Sequence, residues 1–120
     1  MRDDLIITLD NLLTKKRDID LILVETNGLA NPAEVVNTFW LDDKLECKVE
    51  LHMSVGVVDA LNFYNAFDEH KDLLIAQLIQ CDKIMLNKTD LVPEEEREER
   101  LSKIEDEIRQ LNPSVEIIRT

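Results

Sequence analysis

Asn87, Lys88 and Asp90 bring an amide, an ammonium and a carboxylate together on one short stretch that follows an apolar run. The edge of a guanine base presents a ring-nitrogen acceptor, a carbonyl acceptor and two adjacent N–H donors. A carboxylate such as Asp90 can accept from both donors, and an amide such as Asn87 can serve an acceptor. The aliphatic stem of Lys88 can lie along the face of the ring. The three side chains therefore predict a site for a guanine base.

The order Asn-Lys-any-Asp is also the guanine-specificity motif of GTP-binding proteins, and here it follows a pattern typical of a buried strand. Four-residue matches also arise by chance. The plainer interpretation is a solvated turn between a strand and a helix, in which the Asp90 carboxylate caps the helix. This motif alone leaves both interpretations open.

A second candidate is Glu25, which ends an apolar run and is followed three residues later by Gly28, one of 2 glycines. A carboxylate in this position can hold a magnesium ion, directly or through water, or orient an attacking water. A glycine there lets a backbone N–H approach a terminal phosphate. Taken alone, the pair is better explained structurally, as an acid that ends a strand and a glycine that allows a turn. The two motifs together, in the chain order that a GTPase domain requires, favour nucleotide chemistry.

Helical and strand patterns alternate around these motifs. Short, continuously apolar runs typical of buried parallel strands lie at 21–24, 55–58, 83–86 and 115–118. Apolar periodicity and capping residues predict helices near the N-terminus, after Asn31, after Asp59, over 71–80 and from Pro93 to Leu111. Residues 39–49 show no clear period and are expected to form a connection. The expected class is α/β with a mainly parallel sheet, whose ligands bind beyond the carboxyl ends of the strands.

Composition narrows the possible partners. A chain of 120 residues suits one domain, and a net charge of −12 disfavours nucleic acid and anionic membranes as partners. No apolar run approaches the roughly 20 residues that cross a bilayer, and the acidic N-terminus does not resemble a signal peptide. Cys47 and Cys81 are far apart, which favours buried or idle thiols over a disulfide framework. We therefore expect a reducing, cytoplasmic or nuclear setting.

On these residues the sequence resembles the CobW-type metallochaperone GTPases, which include the COBW-domain proteins that act as zinc-regulated metalloprotein activators. The resemblance covers essentially the whole chain. Its strongest parts are the stretches at 20–32, 57–60 and 86–92, with further matches at Thr38-Phe39-Trp40, Asp42 and Leu111-Asn112-Pro113. The sequence departs from the family at Asn27, where Thr or Ser is more common. We do not expect this change to abolish function.

The resemblance implies a three-layer P-loop NTPase-like fold with helices on both faces of the sheet, and GTP or GDP with magnesium as ligands. Glu25 would be the magnesium-associated acid that supports hydrolysis, and Gly28 would sense the γ-phosphate. Asn87, Lys88 and Asp90 would read the base. The family's glycine-rich phosphate loop and its Cys-x-Cys-Cys metal motif occur nowhere in this sequence. We therefore expect the chain to be the central part of a GTPase domain without its first strand.

Two function hypotheses follow. The chain is either part of a zinc-related, GTP-hydrolysing metallochaperone that serves a client metalloprotein, or a non-catalytic interaction fragment that keeps the fold without holding a triphosphate. By itself the chain is expected to be inactive, and its open sheet edges are expected to make it dimerise, exchange strands or close the gap that the missing strand leaves. Direct metal binding by His52, His70 and Cys47 is a weaker hypothesis, because no pair has ligand spacing.

Overall fold

The structure is a computed structural model that describes residues 2–16, 18–41 and 49–120. It divides the chain into two compact units, Met1–His52 and Met53–Thr120. Most of the connection expected at 39–49 lies outside the described residues, and so do Asp42 and Cys47. Among the helices of the described residues, none is both long and apolar enough to cross a bilayer.

The first unit contains two helices in contact with each other, α1 (Arg2–Lys15) and α2 (Pro32–Leu41). Helix α2 begins where the sequence predicts. The Asn31 side chain accepts a hydrogen bond from the Ala33 backbone N–H at 3.0 Å, which satisfies a donor that the first turn leaves free. Pro32 takes the first helical position, where its missing N–H has no cost.

The strand predicted over residues 21–24 is wrong, because the structure assigns no strand there. Leu21 and Leu23 are 70% and 87% exposed, although the prediction places both in a covered strand. A strand exists only through hydrogen bonds to a neighbouring strand. No strand of the described residues pairs with residues 21–24. A continuous apolar run predicts burial, but it does not encode the pairing partner that strand formation also needs.

The second unit is built on a parallel three-stranded sheet in the order β1-β2-β3. The strands are β1 (Val55–Asp59), β2 (Lys83–Asn87) and β3 (Glu116–Arg119). The helices are α3 (Phe63–Glu69), α4 (Lys71–Ile79) and α5 (Glu94–Leu111), and a short 3₁₀ turn, Thr89–Leu91, precedes α5. The predicted α/β class with a parallel sheet is confirmed. Each strand lies within one residue of its apolar run.

The core of the second unit lies against one face of this sheet. Leu86 is in register with Val58, and Ile84 is in register with Ile117, so these side chains share a face. They pack against buried side chains of the helices, namely Phe63, Leu78, Leu101, Ile104 and Ile108. The stripe on α5 has the spacing that the sequence predicts for a helix covering a sheet.

Close packing explains the glycine in β1. A Cβ at Gly56 would lie 2.6 Å from the Cys81 Sγ, which is closer than such atoms can approach. Cys81 is half-buried, and its thiol donates to the Gln77 carbonyl at 3.1 Å. Burial, with the charge of Asp82 nearby, raises the pKa of Cys81. The protonated thiol therefore has a packing role beneath β1.

Candidate functional site

The turn between β2 and α5 contains the three residues predicted to read a base. Asn87 ends β2, and Lys88 follows it in the left-handed conformation, with φ 60° and ψ 30°. Among the described residues, no other non-glycine residue has a positive φ. This conformation costs about 1 kcal/mol for a residue with a Cβ. We call residues 87–90 the 87–90 turn. The contacts made by this turn offset the cost of the left-handed conformation.

Asp59, at the carboxyl end of β1, holds the lysine of this turn. Its Oδ2 accepts hydrogen bonds from Lys88 Nζ at 3.0 Å and from Asn62 Nδ2 at 3.0 Å. Its Oδ1 accepts from the backbone N–H groups of Leu61 at 2.9 Å and Asn62 at 3.2 Å. The sequence predicts that this carboxylate caps a helix through residues 60–62, and the carboxylate does accept from the main chain there. That stretch is a turn, however, and helix α3 begins only at Phe63.

These contacts change the acidity of Asp59. Burial raises its pKa, but hydrogen bonds from the Asn62 and Lys88 side chains and from two backbone N–H groups outweigh burial and lower the pKa to about 2. A carboxylate whose folded pKa lies below its unfolded value stabilises the fold above the unfolded pKa. That stabilisation is lost as the pH falls from about 4 towards about 2.

Asp59→Asn is expected to weaken this acid dependence. Between about pH 5 and about pH 2.5 the free energy of unfolding should fall by about 1 kcal/mol less in the variant than in the wild type. Urea unfolding at both pH values measures the difference. Asp68→Asn, at an exposed position on α3, is the control and should keep the wild-type dependence. Identical behaviour of the two variants would contradict the role of Asp59.

Thr120, which directly follows β3, holds the asparagine of the 87–90 turn. Its backbone N–H donates to the Leu86 carbonyl at 2.9 Å, and its hydroxyl donates to the Asn87 Oδ1 at 3.0 Å. Thr89 in turn donates its hydroxyl to the main-chain oxygen of Thr120 at 2.8 Å. The Oδ1 is engaged, and no group of the described residues accepts from the Nδ2, so the exposed Asn87 amide keeps its Nδ2 donors available.

The Asp90 carboxylate is exposed, and no group of the described residues donates a hydrogen bond to it. Its main chain is held instead, because Arg97 Nη2 donates to the Asp90 carbonyl at 3.1 Å. Helix α5 begins at Glu94 after Pro93 and has no side-chain cap. The interpretation of Asp90 as the cap of helix α5 is therefore wrong, and the exposed carboxylate belongs to the 3₁₀ turn that precedes the helix.

Glu25 and Gly28 share one loop of the first unit. Glu25 is exposed and lines a cavity of about 160 Å³ together with Val24, Thr26 and the second carboxylate, Glu34. Gly28 has no positive φ, and a Cβ there would meet no atom within 4 Å. Neither conformation nor packing therefore requires glycine at this position. The open side of Gly28 leaves room for a ligand to approach the main chain.

Asn27 stands where the family that the sequence resembles more often has Thr or Ser, and the local hydrogen bonds explain why asparagine fits there. The Asn27 Oδ1 accepts a hydrogen bond from the Leu29 backbone N–H at 3.0 Å, and the Asn27 carbonyl accepts from Ala30 at 2.9 Å. Side chains of Ser and Thr make the same kind of turn through their hydroxyl oxygen. Asparagine at this position therefore keeps the loop geometry that a hydroxyl residue would give.

Two residues of the 87–90 turn region were not predicted from the sequence, Thr120 and Arg97. Thr120 contacts the turn from the end of a distant strand. Arg97 lies only seven positions after Asp90, but it binds main-chain carbonyls, which no side-chain motif marks. Within the ranges that the structure covers, no three His, Cys, Asp or Glu side chains come together as a metal site. Of the residues proposed for direct metal binding, Cys47 lies outside those ranges.

Comparison with known proteins gives one family match and several relatives. The chain matches the family profile described as "CobW/HypB/UreG, nucleotide-binding domain" over residues 1–119. It is 36% identical to "Zinc-regulated GTPase metalloprotein activator 1" of Schizosaccharomyces pombe, over 100% of this chain and 28% of that protein. It is 32% identical to "Zinc chaperone YjiA" of Escherichia coli, over 87% of this chain and 33% of that protein.

A third relative, "Zinc-regulated GTPase metalloprotein activator 1" of Dictyostelium discoideum, is 29% identical over 100% of this chain and 29% of its own length. The chain thus spans about a third or less of each of these relatives. No solved structure matches the chain.

Proposed function

Because the chain belongs to the CobW/HypB/UreG nucleotide-binding family, we propose that it provides the guanine-reading part of a GTP-binding metallochaperone. The relatives that carry zinc in their names support zinc as the metal of the longer proteins and a metalloprotein as their client. The observation that carries the proposal is the 87–90 turn. Its contacts fix the main chain, and no group of the described residues forms a hydrogen bond with the Asp90 carboxylate or the Asn87 Nδ2.

The polar groups of the turn match the edge of guanine. The Asp90 carboxylate accepts from the ring N–H and the 2-amino group, while the Asn87 Nδ2 donates to an acceptor on the other side of the base. Lys88 Nζ is drawn towards Asp59 at 3.0 Å. With the ammonium held there, the methylene groups of the lysine stem offer an apolar surface to the ring.

Glu25 and Gly28 have the chemistry expected near the phosphates. Magnesium prefers carboxylate oxygen and water as ligands, and the exposed Glu25 carboxylate fits that preference. When bound, magnesium neutralises charge on the phosphates. We propose that Glu25 supports the ion and the attacking water, and that Gly28 contacts the γ-phosphate through its main chain. Hydrolysis by this chain alone is not expected, because the sequence lacks the loop that holds the β- and γ-phosphates.

Titration with fluorescent GTP and ATP tests the proposal. We expect the chain to bind GTP in the micromolar range and to prefer GTP clearly to ATP, because the base contacts supply the selectivity. Guanosine should compete almost as well as GTP, since the phosphates gain few contacts without the glycine-rich loop. If GTP does not bind, or binds no better than ATP, the alternative of a non-catalytic interaction fragment is supported instead.

A further inference from the structure

Arg97 occupies a place where helix electrostatics disfavour a cation. Helix α5 begins at Glu94, so Arg97 lies at the end of its first turn, directly after three acidic residues, Glu94, Glu95 and Glu96. The N-terminal end of a helix carries partial positive charge, which favours acids there and disfavours arginine. A basic side chain at this position needs a compensating interaction elsewhere.

The compensation is a set of three hydrogen bonds to the 87–90 turn and the residues after it. Arg97 Nε and Nη2 donate to the Val92 carbonyl at 3.2 Å and 3.0 Å. The Nη2 also donates to the Asp90 carbonyl at 3.1 Å. These carbonyls lie at the end of the 3₁₀ turn, where no further turn of helix supplies N–H donors. The half-buried guanidinium therefore fixes the main chain on both sides of Leu91.

We infer that Arg97 is a positioning residue that holds Asp90 for recognition of the 2-amino group of guanine, an inference that rests on the proposed function. In a helical turn the carbonyls point towards the C-terminal end and the side chains tilt towards the N-terminal end. Arg97 can therefore hold the Asp90 main chain from one side while the carboxylate stays open on the other. In this role Arg97 acts through the main chain of Asp90 and not through a contact with the nucleotide.

The inference predicts a particular pattern of base selectivity. Hypoxanthine keeps the ring N–H and the acceptors of guanine but lacks the 2-amino group, so it can give Asp90 one hydrogen bond instead of two. Asn87 is held by Thr120 and not by Arg97. Loosening Asp90 should therefore weaken the binding of GTP more than that of ITP, whereas general damage to the turn would weaken both equally.

Titration of Arg97→Met with GTP and ITP tests the inference, because methionine keeps an unbranched stem and removes every donor. We expect GTP affinity to fall about tenfold and ITP affinity to change less than about twofold. Arg97→Lys keeps the charge and one donor group, so its affinity for GTP should lie between that of Arg97→Met and that of the wild type. Arg109→Met is the control, since Arg109 lies in the last turn of α5 and pairs only loosely with Glu105 at 3.9 Å.

Three results would overturn the inference: equal losses of affinity for GTP and ITP, no loss for either nucleotide, or a loss of the same size in Arg109→Met.

If the wild type binds neither nucleotide, the proposed function fails, and amide hydrogen exchange then tests the positioning role separately. The Leu91 and Val92 N–H groups close the 3₁₀ turn on Lys88 and Thr89. Their exchange should rise about tenfold in Arg97→Met at an unchanged melting temperature. Unchanged exchange would overturn the positioning role. If Arg97→Met does not fold, the same comparisons are made with Arg97→Lys.

Discussion

Replacing Asp90 with alanine is expected to abolish the selective binding of GTP. The carboxylate is the one group of the 87–90 turn that can accept from both N–H donors of guanine. Hydrogen bonds to a charged group contribute about 1.5 to 3 kcal/mol each, so losing the pair should cost about 3 kcal/mol, roughly a hundredfold in affinity. Competition between GTP and ATP for a fluorescent nucleotide measures the loss.

Asp90→Asn is the matched control, because it keeps the shape and removes the charge. Its amide has one acceptor and one donor group, which suits a base that carries a carbonyl in place of the 2-amino group. We therefore expect this variant to prefer xanthosine triphosphate to GTP. Both variants should unfold within about 0.5 kcal/mol of the wild type, since no described group donates to the carboxylate. Retained GTP selectivity in the alanine variant would contradict the assignment.

Ile104→Ala is expected to produce the largest loss of stability. Ile104 is fully buried on α5, between Leu101 and Ile108, where the helix packs on the sheet. Truncating such a side chain costs its transfer free energy and leaves a cavity, about 3 kcal/mol in total. A domain of this size has a net stability of about 5 to 15 kcal/mol, so the variant should lose a large part of it.

Urea unfolding measures the loss in Ile104→Ala. Ile104→Val removes one methylene group and should cost about 1 kcal/mol. Ile79→Ala, at a residue that is 50% exposed, should cost less than Ile104→Ala by at least about 1 kcal/mol. Equal losses in Ile104→Ala and Ile79→Ala would show that α5 does not carry the core.

Much of the second unit could be predicted because its elements are specified locally. The stripe of Leu101, Ile104 and Ile108 identifies the covering face of α5 without any knowledge of what it covers. Three apolar runs form the strands β1, β2 and β3, because each of them pairs with another strand of the same sheet. The run at 21–24 has the same composition, but no described strand pairs with it. Composition alone therefore does not distinguish the run at 21–24 from the three runs that form strands.

The predicted site residues form one local motif, whereas the residues that hold them act through contacts that no sequence pattern marks. Asn87, Lys88 and Asp90 stand in one motif that can be read directly from the chain. Thr120 and Arg97 act through main-chain and amide oxygens, to which any suitably placed donor could bind. Their importance depends on how β3 returns to the turn and on how the first turn of α5 packs against it. Only the three-dimensional structure shows these two contacts.

The sequence positions of Asp59 and Thr120 determine the order in which their contacts with the 87–90 turn can form during synthesis. Lys88 meets Asp59 across 29 positions, but the Asn87 amide meets the Thr120 hydroxyl across 33 positions in the other direction. During vectorial synthesis the lysine contact can therefore form well before the asparagine contact. A nascent chain that has not yet added β3 carries the whole motif with its amide still free to rotate. If the 87–90 turn reads a base as proposed, its asparagine would be held in place only when the strand after α5 joins the sheet.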